Sequence, residues 1–414
     1  MMDCDAVVVG GGFAGVTAAR ELQSRGLHTV LLEARDRLGG RTWTVDFAGE
    51  RVEMGGTWVH WRQPHVWAEL TRHGIPIEDY TWDWDVALAG SPPHRYPPEE
   101  IFAKVQDLVS QVVSADRAAL PQPFDPLHSR ALIQRDRLSM EDRLDELDLS
   151  PSDREWIRGS GAYTSFLRVL ALCDWDTAKG HDELRYRPAG GTIAVLEGIL
   201  SDANGGVDVR LSSPVNAVAV SNDAVRVTTR SGEEVSARVG VMAVPVNVWP
   251  TIDFSPVLPQ SHREAPGDPP NRDKVFIHVR GDIGRIYAQL AGTRLNSFRT
   301  FKHYGDTQLI MGFNHDPSLD VTDKQQVAET ICKHVPEIEE VLDIRGHSWG
   351  ADEYARGETP PSRPGQLTRY LADFQRPLGR LAFATSDIAH GYFGHIDGAI
   401  ESGMRAARLC LQAA

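Results

Sequence analysis

The chain has 414 residues, 41% of them hydrophobic and 24% charged, a balance typical of a soluble globular protein long enough for two or more domains. Its formal charge of -14 repels phosphate backbones and anionic lipid, which argues against nucleic acid and membrane as partners. Cys4, Cys173, Cys332 and Cys410 form no CxxC pair, so neither a disulfide framework nor a zinc array is expected, and a reducing, cytoplasmic setting fits best.

The opening MMDCDAVVVG has acidic residues where a signal peptide would be basic, and no apolar run is long enough to cross a bilayer. In DAVVVGGGFAGVTAARELQSRGLHTVLLEAR, Ala6 to Val9 read as a buried strand. Phe13 to Arg25 then read as a helix with Ala18 and Ala19 on a close-packing face, and His28 to Leu32 as the next strand. Gly10, Gly12 and Gly15 supply GxGxxG, which permits a tight turn and close backbone approach. The helix start at Phe13 and Ala14 offers unpaired N–H groups and a positive dipole end to a pyrophosphate. Glu33 follows roughly 20 residues beyond Gly15, where a carboxylate accepts from ribose hydroxyls and disfavours a 2′-phosphate. This order of elements predicts a dinucleotide site; a plain glycine-rich turn is the alternative.

EARDRLGGRTWT places Arg35, Arg37 and Arg41 beside Gly39 and Gly40. Arg41 is either a phosphate clamp or part of a solvated basic loop. EMGGTWVHWRQPHVW then gathers Trp58, Trp61 and Trp67 with His60 and His65 behind Gly55 and Gly56, flat surface suited to a wall against something planar. Core filling is the expected use of Trp61, His65 and Trp67.

Residues 6 to 61 resemble the opening of the flavin-dependent amine oxidase family, which includes monoamine and polyamine oxidases. The family pattern GGGxxGxxAAxxLxxxGxxVxxLEARxRxGGRxxT, then GGxW, is met by Gly10 to Gly12, Gly15, Ala18, Ala19, Leu22, Gly26, Val30, Leu32 to Arg35, Arg37, Gly39 to Arg41 and Thr44, then Gly55 to Trp58. The resemblance implies non-covalent FAD held in an extended pose by this end of the chain, including Ala34, Arg35 and Gly40. It places Gly56, Thr57 and Trp58 near the isoalloxazine ring, with Trp58 and His60 bordering the substrate.

Ile75 to Pro98 read as irregular. Glu99 to Asp116 read as a helix with Ile101, Val105, Leu108, Val109 and Val112 on its apolar face. Ser139 with Asp142, and Ser150 with Asp153, have capping-box spacing, and Gly159 and Gly161 are candidate bends in the helix that follows. RYRPAGGTIAVLEGILS is similar to the family segment that returns the chain to the FAD domain, and a run of short strands follows it. The resemblance puts Val215 where backbone groups hold adenine. It puts Lys274, just before an alternating strand, where a lysine holds a water by flavin N5 and serves oxidation by oxygen; on sequence alone a solvated edge lysine is the other reading. Asp323 or Thr322 can cap the next helix.

HSWGADEYARGETPP matches the family at Trp349, Tyr354 and Gly357, with Glu358 where some members carry a flavin-bonding cysteine. RLAFATSDIAHGYFGHIDGAIESGMRAARLC matches the closing segment, with Asp387 at a family glutamate and expected to touch the ribityl or pyrophosphate region. The helix start from Ile396 to Ala399 is implied to face the ring. Amine-specific members set two tyrosines before the ring. Here Thr359 and His395 fall at those places, Tyr392 is able to rotate in, and His395 is either a titratable group beside the ring or structural. A missing cage points toward a bulky or neutral substrate.

The sequence therefore predicts an α/β protein with a glutathione-reductase-like, Rossmann-type FAD-binding domain (1–75, 188–270 and 346–414) and a mixed α+β substrate domain (76–187 and 271–345). The expected reaction removes hydride from a C–H next to nitrogen, with molecular oxygen returning FAD to its oxidised state. The expected partners are a small-molecule amine or amide and molecular oxygen, with room for a homodimer. Lys274 and His395 are the catalytic candidates. A C–C desaturase and a non-catalytic flavoprotein are the rival readings.

Overall fold

The computed structural model describes residues 2–80, 83–90, 93–117, 125–158, 165–172, 185–264, 266, 273–290, 292–358 and 363–414. The apolar run after Asp3 forms the strand Cys4–Val9, parallel to Thr29–Leu32 on one side and to Glu234–Met242 on the other. Strands buried on both faces read as continuous apolar runs, and here every residue from Ala6 to Val9 is buried. The helix Phe13–Ser24 crosses between the first two strands. Among the described residues, eight strands make this sheet, with Asp253–Ser255 and Asp208–Arg210 at its edges and Leu381–Phe383 paired to Glu234–Met242.

Ala18 and Ala19 are fully buried, and the closing helix Ile396–Ala413 packs against the same opening helix. A Cβ at Gly403 would stand 2.3 Å from the Ala14 carbonyl oxygen, so the two helices approach backbone to backbone. The pattern of first and last motifs is thereby explained: small residues from both ends of the sequence meet over one sheet.

A second sheet has seven strands among the described residues, in the order Glu340–His347, Asp273–Arg280, Thr307–Asn314, Ser297–His303, Ile286–Gln289, Val86–Ala89 and His94–Tyr96. The stretch expected to be irregular, Ile75 to Pro98, contains three short strands. Ile77–Asp79 pairs with Tyr186–Pro188, while Val86–Ala89 runs parallel to Ile286–Gln289 and pairs with His94–Tyr96. The apolar VALA tetrapeptide gains ladder bonds from a partner about 200 residues away, which local composition does not reveal. The helix Pro98–Arg117 follows the expected span, with Ile101, Leu108 and Val112 buried. Ser139 caps its helix in a reciprocal box with Asp142, and Asp323 caps Lys324–His334. The expected bends at Gly159 and Gly161 lie outside the described residues, as does Cys173. Among the described residues, no helix is long and apolar enough to cross a membrane.

Candidate active site

A cavity of about 600 Å³ is lined by residues from both sheets. At one end it meets the glycine turn. Gly10, Gly12, Phe13, Ala14, Glu33, Ala34, Arg35 and Gly40 line it. The opening helix has Gly12 as its N-cap, with no side-chain cap bond and no acid in its first turn. A Cβ at Gly12 would meet nothing closer than 3.7 Å, so the glycine leaves open space for a ligand. The Glu33 carboxylate accepts from the backbone N–H of Gly11 at 2.6 Å and of Arg35 at 2.9 Å, which fixes its direction in the wall. Val215, at the start of Val215–Val220, lines the same cavity.

The closing helix also opens on the cavity. His395 is its N-cap without a side-chain cap bond, and Ile396 and Ala399 line the wall. Two helix N-termini thus converge on one space, an arrangement suited to an anionic or electron-rich ligand. Asp397 in the same first turn points elsewhere. It accepts from the backbone N–H of His65 at 2.7 Å and of Val66 at 2.9 Å, and its other oxygen meets His65 Nδ1 at 3.1 Å. It caps the helix Pro64–Arg72, so the aromatic segment and the closing helix are fixed to each other. Hydrogen bonding to Asp397 raises the His65 pKa.

Gly56, Thr57, Trp58 and His60 line the cavity. Trp58 meets Tyr80 edge-on at 5.8 Å, and Tyr80 stacks on Phe301 at 5.0 Å. Lys274 comes to this segment from the second sheet. It is 3% exposed, which rules out the solvated edge lysine, and its Nζ donates to the Thr57 hydroxyl at 2.7 Å and the Gly55 carbonyl at 3.0 Å. Burial lowers its pKa to about 7, against an opposing pull from Glu53. Glu53 is itself buried and accepts from Thr44 Oγ1 and from the Thr192 N–H and hydroxyl. Burial raises its pKa.

Several expectations are corrected. Gly15, Trp349 and Asp387 stand behind the wall. A Cβ at Gly15 would lie 1.8 Å from the Gly10 carbonyl oxygen, so Gly15 serves the helix–strand approach. Trp349 donates from Nε1 to the Met54 carbonyl and backs Gly55, where a Cβ would lie 2.8 Å from the indole. Asp387 has its side chain fully buried. It accepts from the Val246 N–H and pairs with Arg41 at 2.8 Å, so it orients Arg41 instead of reaching the cavity. Arg41 itself lines the wall, bonded also to the hydroxyls of Thr385 and Ser386 and to the Glu358 carbonyl, so it is not a solvated loop residue. Trp61 is 43% exposed and stacks on His60 at 3.9 Å, so it does not fill a core; Trp67 does pack against one. Tyr392 lines the cavity, with its hydroxyl donating to the Arg62 carbonyl at 2.8 Å rather than turned in to form a cage. His395 lines the cavity with Nδ1 2.9 Å from the Phe393 carbonyl. Thr359 lies outside the described residues.

Sequence reasoning missed Arg299, Ser297, Gln289 and Phe313, all of which line the cavity from the second sheet. LIMGFN is a continuous apolar run and FRTFKH is buried without a period of two, so no local signal shows which face meets the cavity.

The family described as flavin containing amine oxidoreductase matches residues 13–411. The chain is 37% identical to pseudooxynicotine dehydrogenase from Pseudomonas sp, over 97% of this chain and 85% of that one. It is 30% identical to (S)-6-hydroxynicotine oxidase from Paenarthrobacter nicotinovorans, over 96% of this chain and 97% of that one. A solved double mutant of putrescine oxidase, made in a redesign of cofactor binding, superposes with a TM-score of 0.82 at 25% identity over 99% of both chains.

Proposed function

The chain belongs to the flavin-containing amine oxidoreductases, and from that premise we propose that it oxidises the C–H bond next to the nitrogen of a bulky amine of the nicotine type, giving an imine. It is an FAD-dependent enzyme with a Rossmann-like FAD-binding fold and a second, substrate domain. We assign residues 1–75, 188–270 and 346–414 to the first and 76–187 and 271–345 to the second. Bound FAD supplies the two-electron acceptor for the C–H hydrogen, and dioxygen takes the electrons on as hydrogen peroxide.

The residues present fit that cofactor. The uncapped start of the opening helix would hold the pyrophosphate, and Glu33 would accept from ribose hydroxyls. Arg41, held by Asp387, would balance phosphate charge. The start of the closing helix would face the ring. Glu358, where a bonding cysteine would be needed, leaves the attachment non-covalent.

Lys274 carries the reading. It is a nearly dry amine joined to Gly55 and Thr57, on the line where the aromatic segment meets the second sheet. There it would hold a water for the oxygen step, while Trp58 and the rings behind it keep bulk water from the reacting carbon. A nitrogen arriving neutral needs no side-chain base, so positioning does most of the work. His395 is proposed to line the substrate end, with His60 and Tyr392.

The test is anaerobic mixing of the yellow holoenzyme with nicotine-type amines, followed by air. Loss of flavin absorbance, then its return with one peroxide per amine, is expected. If no amine removes the absorbance, the reading fails. The relative named a dehydrogenase favours a second reading, in which the same oxidation feeds an acceptor other than oxygen; slow return of colour in air would select it.

A further inference from the structure

Strand register orders the second sheet's face toward the cavity. Lys274 is paired with Phe313, Phe313 with Ser297, and Ser297 with Gln289, so four adjacent strands set these residues in one row. All four line the cavity. Two residues along each strand, on the same face, the next row is Phe276, Met311, Arg299 and Tyr287. Of that row, Arg299 is the member that lines the cavity among the described residues.

Arg299 is 7% exposed. Its guanidinium lies 5.7 Å from the Phe313 ring centroid, and Lys274 Nζ lies 5.5 Å from the same centroid. A guanidinium and a lysine amine therefore flank one aromatic ring in the wall. Burial lowers the Arg299 pKa, opposed by the phenols of Tyr287 and Tyr80, and a guanidinium remains protonated throughout the working pH range. Its planar fork of N–H donors suits an oxygen or nitrogen acceptor. A second ammonium on the substrate would meet like charge in a poorly hydrated site, where repulsion is weakly screened.

We propose that Arg299 selects the substrate, its guanidinium binding a hydrogen-bond acceptor on the end of the amine away from the reacting carbon and disfavouring α,ω-diamines. The acceptor is a carbonyl or ring nitrogen if neutral, or a carboxylate if anionic. The inference rests on the amine-oxidising reading above. Two interstrand spacings of about 4.8 Å separate the strand of Lys274 from that of Arg299, so the acceptor is a spacer of several bonds from the nitrogen.

The experiment uses the holoenzyme and four amines: N-methyl-phenylbutylamine, the matching aryl ketone, methylaminobutanoate and putrescine. The initial rate of anaerobic flavin bleaching gives kcat/KM for each. The ketone or the carboxylate is expected to exceed the plain arylalkylamine by about tenfold or more, mainly through KM, with putrescine poorest. The better of the two acceptors tells a neutral group from an anionic one. In Arg299→Met and Arg299→Gln the advantage should fall below about twofold with FAD still bound, and Arg299→Lys should lie between. An advantage unchanged in the variants, or putrescine matching the acceptor-bearing amines in the wild type, overturns the proposal. Binding of butyrophenone, read from the flavin difference spectrum, tests the contact without turnover. Weakening by about tenfold in Arg299→Met is expected, and equal affinity in both proteins counts against it. If no amine bleaches the flavin, the amine-oxidising reading falls, while the butyrophenone result still decides whether Arg299 holds an acceptor.

Discussion

The two ends of the cavity are built by different means. At the end proposed for the nucleotide, a short stretch begins the work: Gly10 to Ala14 make the turn and helix start, Glu33 follows one strand later, and Arg41, Val215 and the closing helix start join from further along the chain. At the substrate end, the wall is a row drawn one residue at a time from strands far apart in sequence, Lys274, Phe313, Ser297 and Gln289. The first kind of site depends on backbone approach and tolerates few substitutions. The second depends on side chains standing on a fixed ladder, so its chemistry can change while the sheet stays the same.

The sharpest way to break this contrast is Gly15→Ala. Its Cβ would fall 1.8 Å from the Gly10 carbonyl oxygen, inside backbone that cannot move alone. A loss of at least about 3 kcal/mol in stability is expected, with colourless protein on purification. A yellow, equally stable variant would show that the nucleotide end is no more constrained than the substrate end.

The nucleotide half also holds a titrating weak point. His262 is buried against Trp249 at 5.3 Å and Phe383 at 4.8 Å, and burial lowers its pKa to about 4. The unfolded chain therefore binds more protons than the folded one between pH 6.5 and about 4, and stability falls as pH drops through that window. The contribution of this site is at most roughly 3 kcal/mol, and His262→Phe should flatten that part of the denaturation profile.

At the other end, Lys274→Met should slow the return of flavin absorbance in air by at least about tenfold, with anaerobic bleaching changed less than about threefold. With a pKa near 7, the wild-type rate in air should bend near neutral pH and the variant's should not. Equal slowing of both half-reactions would move Lys274 from the oxygen step to substrate binding. The smallest effect is expected at Trp61, whose exposed ring stacks on His60. Trp61→Ala should lower thermal stability by about 1 kcal/mol and by no more than about 3, measured by calorimetry, because the ring is 43% exposed and its loss leaves no closed cavity.

What could be read in advance follows the same division. The glycine turn, Glu33, the caps at Ser139 and Asp323 and the closing helix are local patterns whose physics is complete within a few residues. Arg299 and its row were invisible because register between distant strands is set by the folded sheet. Asp387 was found at the right place in the chain with the wrong partner: its carboxylate is occupied by Arg41 and the Val246 N–H, a geometry no spacing rule contains. Trp61 looked like core because aromatic residues usually bury. Its exposure follows from the turn at Trp61 and Arg62: Trp58 and His60 line the cavity, and the next ring is carried out to solvent.

Residues near position 13 and near position 396 close on the same space, and Gly403 lies directly against Ala14. The glycine turn supplies one helix start to that space and the closing helix supplies the other. A chain cut before Ile396 should therefore keep the fingerprint yet fail to hold FAD, read as loss of yellow colour on purification.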